Sequence, residues 1–222
     1  MTSPRDKQVL KEIRRGSGPD DETRWQQRKS SLTREAILEA AIECLVSCGY
    51  IGLTTSEVTK RAGISRGAMH HHYANKMELV AALVDYVLYR RMQHFLKEYP
   101  QLRLDDTDRT LKHATELYWR ILQRREFMAY LELAMAARTD PELERVLIPA
   151  TRRFDAIWTR EMAEAFPQWG ERVHQMILAS DFAQAAHLGL LFNAAIIGEE
   201  RQRAVRDLIV RMVDTVYGDA AD

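Results

Sequence analysis

Six positions within the run 65–71 carry side chains suited to reading another surface: Ser65, Arg66, Gly67, Ala68, His70 and His71. A guanidinium presents a planar fork of N–H donors, and an imidazole a donor or an acceptor. Such a set can bond to base edges or to phosphate oxygens. Gly67 and Ala68 are small, so the backbone there can approach a surface closely. Arg66 and His70 stand four residues apart, as do Gly67 and His71, which places each pair on one side of a helix. Upstream, Thr54, Thr55 and Ser56 cluster three hydroxyls where a second helix begins, a pattern suited to gripping a phosphate. Downstream, Lys76 adds a cation in the first turn of another helix, where free amides and the helix dipole favour an anion.

The elements that must hold these groups are legible. A helix is expected from about Thr33 to Cys48, with Ile37, Ala40, Ala41, Cys44, Leu45 and Cys48 on one face and Gly49 as its stop. Thr54 and Glu57 fit a capping box that opens a second helix, which ends at Ala62-Gly63. A short helix covers about Ser65 to His71. Asn75 and Glu78 open a long helix to about Glu98, closed by Tyr99-Pro100. The pair 54–62 and 65–71, joined at Gly63-Ile64, reads as a helix-turn-helix with Val58, Ala62, Ile64 and Met69 as its small core. Such a short helix with an exposed Arg, two exposed His and a flat patch suits the major groove of DNA.

The remaining chain reads as helices near 106–124, 126–138, 141–166, 169–197 and 201–217. Asp140-Pro141 is a start signal, Pro149 is expected to kink or split its helix, and Pro167 to close it. No long stretch alternates apolar and polar residues, so the fold class is all-α. The expected domains are a flexible tail over 1–30 with the breaker run 16–20 and room for a short helix between Pro4 and Arg15 that buries little, a helix-turn-helix domain over 31–80, and a helical bundle over 81–222.

The stretch from Thr33 to Gly49-Tyr50, then Gly52-Leu-Thr-Thr-Ser-Glu-Val, Arg61-Ala-Gly-Ile-Ser-Arg-Gly-Ala-Met and His71-His-Tyr-Ala-Asn-Lys-Met-Glu-Leu79, resembles the DNA-binding domain of the tetracycline-repressor (TetR) family. The match covers about residues 32–80. The resemblance implies a homodimeric, all-α transcription regulator, usually a repressor. It implies that the short helix reads a double-stranded DNA operator, while a larger C-terminal domain senses a small molecule. His70 departs from the family, which usually has Tyr there and uses it on the DNA backbone. Met69 stands for a usual Leu and Thr59 for a usual Ala.

Composition narrows the alternatives. The 222 residues carry 32 Lys+Arg and 32 Asp+Glu, so bulk electrostatic coating of nucleic acid or membrane is excluded. The local balance has the right sign for DNA: 13 basic against 10 acidic residues in 1–80, and 19 against 22 beyond. No stretch is apolar enough for a membrane span, since Met176 to Gly198 is broken by Asp181, Gln184, His187 and Asn193. With no export signal and two cysteines, a cytoplasmic setting is expected. Cys44 and Cys48 read as core filling and an inert thiol in preference to a redox pair. His70, His71 and His72 point about 100° apart on a helix and cannot share one metal ion, so no cofactor is expected. Lys11, Arg14 and Arg15 read as disordered tail ahead of a minor-groove arm. No P-loop, GxGxxG, HExxH or nucleophile–base pattern is present, so no enzyme is expected.

In the C-terminal part, Tyr118, Trp119, Phe127, Tyr130, Met135, Phe154, Trp158 and Met162 are candidates for an apolar or aromatic effector pocket. Glu132, His113, Arg120 and Arg138 are its candidate polar anchors. Phe182, Ala186, Leu190, Ala194, Leu208, Ile209 and Met212 recur at helical intervals and are candidates for a dimer surface. The expected arrangement sets Ser65, Arg66, Gly67, Ala68, His70 and His71 on operator bases, and Thr54, Thr55, Tyr73 and Lys76 on its backbone. The alternative is a helical small-molecule-binding or scaffold protein that keeps the fold without specific operator binding.

Overall fold

A computed structural model describes residues 4–13, 24–98, 107–165 and 172–218. The described residues are helical, with no strand: α1 Pro4–Ile13, α2 Arg24–Gly52, α3 Thr55–Ala62, α4 Arg66–His72, α5 Lys76–Glu98, α6 Thr107–Leu122, α7 Arg125–Ala137, α8 Pro141–Ala165, α9 Val173–Asn193 and α10 Glu199–Gly218. The chain divides into two compact units. One holds residues up to Gln93 together with Arg125–Asp155, the other His94–Arg124 and Ala156–Asp222. The boundary expected at residue 80 falls inside the first unit.

The N-terminal segment departs from expectation. The short helix forms, but it does not bury little: α1 sinks Val9, Leu10 and Ile13 into the first unit. Ile13 follows Val9 by four residues and Leu10 by three, so one turn of helix presents all three to the same side. Arg153 Nη2 donates to the Ile13 carbonyl at 3.4 Å, placing a cation at the C-terminal end of α1. Helix α2 also starts at Arg24, well before Thr33. Arg14, Arg15, the 16–20 breaker run, Tyr99-Pro100 and Pro167 lie outside the described residues.

In the first unit, α2 buries Ile37, Ala41, Ile42, Cys44 and Leu45 against α3 and α7. Cys48, at the end of the same stripe, is exposed instead. Gly49 interrupts α2 with φ 66° and ψ −178°, backbone that is essentially confined to glycine. That break redirects the chain into Leu53 and the Thr54 cap. Helix α5 supplies Leu79, Val80, Leu83, Val84, Val87 and Leu88 to the core. Each such side chain removed from water contributes about 1.5–3 kcal/mol. A polar network crosses α2, α5 and α7. Tyr86 donates its hydroxyl to Glu39 at 2.6 Å, Arg125 also binds Glu39, and Arg90 reaches both Glu39 and the buried Glu126. Burial leads the effects that push the Tyr86 phenol up to about 12.

Helix α8 runs unsplit through Pro149. Its start is secured by Asp140, whose Oδ1 accepts from the amides of Glu142 and Leu143 at 3.0 and 3.1 Å. In the second unit, α10 lies along α9 and α6. His187, fully buried, donates Nδ1–H to the Ala183 carbonyl at 2.7 Å and lies against Tyr118 and Trp119. Arg206 pairs with Glu116 at 3.2 Å and covers the Trp119 ring. Among the described residues, no helix is long and apolar enough to cross a membrane.

Candidate nucleic-acid interface

Local chemistry sets the geometry of the short helix. Thr54 caps α3 by accepting from the Glu57 amide at 3.1 Å. The reciprocal half of a capping box is replaced, since Glu57 gives its carboxylate to Arg61 Nε at 2.7 Å. That guanidinium holds the Glu57 carboxyl below its ordinary value. Helix α3 closes at Gly63, with φ 64° and ψ 31°, where the Gly63 and Ile64 amides return to the Lys60 and Thr59 carbonyls. This is a Schellman closure, and the left-handed residue it needs is glycine. Ser65 then caps α4 by accepting from the Ala68 amide at 3.1 Å. Val58 and Met69 are fully buried between the two helices, while Ala62 and Ile64 stay half-buried.

With Met69 turned inward, the opposite side of α4 faces solvent. Ser65, Arg66, Gly67, His70 and His71 are exposed, and Ala68 is half-buried beside them. Thr54 and Ser56 are exposed at the head of α3, and Thr55 is half-buried. The residues expected on base edges therefore share one surface of a single capped helix. No group of three or more potential metal ligands occurs among the described residues.

Two expected backbone contacts are placed differently. Tyr73 is only 3% exposed, and its hydroxyl accepts from Arg34 Nε at 3.1 Å. Burial pushes this phenol up, with the Arg34 cation opposing. Burial, with His71 and Arg34 nearby, lowers the His72 imidazole below its ordinary value. Lys76 is half-buried rather than free at its helix start. Its Nζ donates to the Tyr50 carbonyl at 3.4 Å and lies 4.3 Å from the Tyr50 ring centre. Tyr50 in turn donates its hydroxyl to Asp140 Oδ2 at 3.1 Å. Burial, then Asp140, pushes the Tyr50 phenol up to about 12. Helix α5 opens on a full set of caps. Asn75 Oδ1 accepts from the Glu78 amide, and Glu78 accepts from the Ala74 amide, both at 2.9 Å.

Sequence reasoning missed Arg34, the partner of Tyr73, and the Tyr50–Asp140 bond. Neither has a local signal, because the partners lie 39 and 90 residues apart.

The eight expected effector residues are divided between the units. In the first, Tyr130, Phe127 and Phe154 surround the Arg91 guanidinium at 4.5, 4.8 and 4.8 Å, and Met135 is 51% exposed. In the second, Tyr118 and Trp119 flank His187, Trp158 packs on Phe95 at 4.1 Å, and Met162 is buried. Neither unit holds all eight. Among the expected dimer residues, Leu190 and Ile209 are buried within the second unit itself, because helical periodicity turns them toward its core. Phe182, Leu208 and Met212 are exposed, and Ala186 and Ala194 are half-buried. Leu178 and Ile196 add to the exposed apolar surface of this unit.

Comparison with known proteins bears on the family and the fold. A sequence model described as bacterial regulatory proteins, tetR family, matches residues 37–83. An HTH-type transcriptional regulator of Mycobacterium bovis is 30% identical over 150 residues, 65% of this chain and 76% of that protein. The regulator CymR of Pseudomonas putida is 29% identical over 122 residues, 54% of this chain and 58% of its own. Among solved structures, a transcriptional regulator from Rhodococcus sp. Rha1 superimposes with a TM-score of 0.62 at 22% identity, covering 81% of this chain and 95% of that one. The multidrug binding protein EbrR, complexed with imidazole, superimposes with a TM-score of 0.56 at 16% identity, covering 86% and 95%.

Proposed function

Because this chain belongs to the TetR family of transcriptional regulators, we propose that it acts as a homodimer on a pseudo-palindromic operator and is released by a small apolar or aromatic effector. One observation carries the reading. A short helix, capped at Ser65 and anchored by Met69, offers Arg66, His70 and His71 together with the bare backbone of Gly67. Arg66 is the base reader, since guanidinium matches guanine O6 and N7 in the major groove. The hydroxyls of Thr54 and Thr55 seat a phosphate at the head of α3. The Tyr73 phenol, held by Arg34, and the Lys76 ammonium, held by Tyr50, support the ends of α4 and α5 from within.

A dimer follows from the same argument. One α4 makes few base contacts, whereas two, related by symmetry, read half-sites about one helical turn apart. The exposed Phe182, Leu208 and Met212 supply an apolar surface for that pairing. The aromatic side chains around Arg91 and around His187 are the material for an effector site. An effector releases the operator only if it favours a dimer state whose α4 helices are wrongly spaced for DNA.

The test is selection of bound sequences from a random DNA pool at stated salt, followed by titration of the winner. A pseudo-palindrome bound by two chains is the expected result. Weak, sequence-blind binding that vanishes with salt would refute the operator reading and leave a ligand-binding protein with a helix-turn-helix fold.

A further inference from the structure

The first unit has an open cleft of about 610 Å³ that the reading surface does not use. It lies where the C-terminal end of α4 meets α2, α5 and α8, and none of the expected effector residues lines it. Its volume is that of a small-molecule site, about 300–1,000 Å³. Ala82, Val146 and Pro149 give it an apolar wall, and Arg34, Arg145 and Arg153 bring three cations.

Two acids also line the cleft: Asp85 pairs with Arg153 at 2.9 Å, and Glu78 accepts from the Ala74 amide at the start of α5 while keeping its charge, so three cations face two anions. Arg34 gives its Nε to the Tyr73 hydroxyl, and Arg145 gives its Nε to the Pro141 carbonyl. Among the described residues, neither has a carboxylate partner. A guanidinium carries four further N–H donors on its two terminal nitrogens, in a fork that matches a carboxylate. The net positive charge of the lining beside an apolar wall favours a ligand that is anionic at one end and apolar at the other.

We propose that this cleft binds an amphipathic organic carboxylate, with its charged end on Arg34 and Arg145 and its apolar body against Ala82, Val146 and Pro149. The site is separate from the aromatic residues assigned above to the effector. Its occupant touches Tyr73, the residue that closes α4, so it also bears on the reading helix.

The experiment is calorimetric titration of the full chain, without DNA, at fixed ionic strength. The probes are sodium octanoate, 1-octanol and inorganic phosphate. Octanoate is expected to saturate at one molecule per chain, with octanol and phosphate each binding at least about tenfold more weakly. Arg145→Gln, on an exposed stretch of α8, is expected to weaken octanoate about tenfold, the size of one lost charge-assisted bond. Arg34→Gln is expected to do the same. Arg145→Gln keeps the test decisive if loss of the Tyr73 contact disturbs the fold in the Arg34 variant. Arg201→Gln, on α10, serves as the unchanged control. No saturable octanoate binding, equal binding of octanol or phosphate, or an Arg145→Gln variant that binds like the parent would each overturn the proposal. Because DNA is absent, failure here leaves the operator reading standing, and failure of the operator selection leaves this site standing.

Discussion

Replacing Gly67 by Ala separates the fold from the reading of DNA. Gly67 lies inside α4, and a Cβ built there meets only Ser65 Oγ, at 3.9 Å, an ordinary contact. In the free protein the exchange stiffens the unfolded chain at a position where Ala fits, worth about 0.4–1 kcal/mol of added stability. For a chain of this size that is about 1–4 °C in Tm. On DNA the same methyl stands on the exposed side, next to Arg66 and in line with His71, where the backbone must come close. Holding α4 off the groove by a methyl's depth costs each half-site one base contact, about 1–3 kcal/mol. A dimer meets this twice, so Kd rises at least about 30-fold at 1.4 kcal/mol per decade. Thermal unfolding followed by circular dichroism reads the first quantity, and fluorescence anisotropy on the selected operator reads the second. A variant that is more stable and binds as tightly as the parent would show that the Gly67 side of α4 does not face DNA.

Gly49→Ala should act the other way. Its φ of 66° with ψ of −178° costs a non-glycine residue about 1–3 kcal/mol, partly offset by about 0.4–1 kcal/mol from the stiffer unfolded chain. Urea unfolding should show a net loss of about 1–2 kcal/mol; an unchanged midpoint would refute the strain. His187 should give the chain a pH-dependent stability. Burial lowers its imidazole below the ordinary 6.5, so as pH falls through that value the unfolded chain takes up a proton that the folded one refuses. Stability is therefore full above about pH 6.5 and lost as pH drops toward the lowered value, by up to about 1.4 kcal/mol per pH unit. His187→Gln should flatten the stability curve between pH 7.5 and 5, and a curve parallel to the parent's would contradict this. Phe182→Glu and Leu208→Arg should each shift the mass measured by light scattering from the dimer toward the 25.7 kDa chain, with loss of operator affinity. Dimers that persist in both would place the interface elsewhere.

Helices α3 and α4 begin and end where their caps stand in the chain, at Thr54, Gly63 and Ser65, because a cap acts within four residues of itself. Pro141 and the Asp140 cap likewise announce α8. Pro149 does not split α8, although a proline inside a helix is a strong breaker in isolation. The burial of α1 is likewise not a local property. Val9, Leu10 and Ile13 carry too little apolar surface to predict burial alone, and their burial depends on the first unit's core and on Arg153 at the helix end.

The class of fold, the positions of most helices and the side chains that α4 exposes are legible along the chain, since helical period and capping are local properties. Which charges stay open to a partner, and which are spent on the chain's own groups, depends on how the helices pack. Lys76 and Tyr73 stand in the motif like groups waiting for phosphate, but Tyr50 and Arg34, 26 and 39 residues away, already engage them. That Arg34 and Arg145 line one cleft, and that Leu190 turns inward while Phe182 is left outside, have the same origin. Hydrogen bonds and burial depend on distance in space, and in a helical chain that distance is set by how the helices pack.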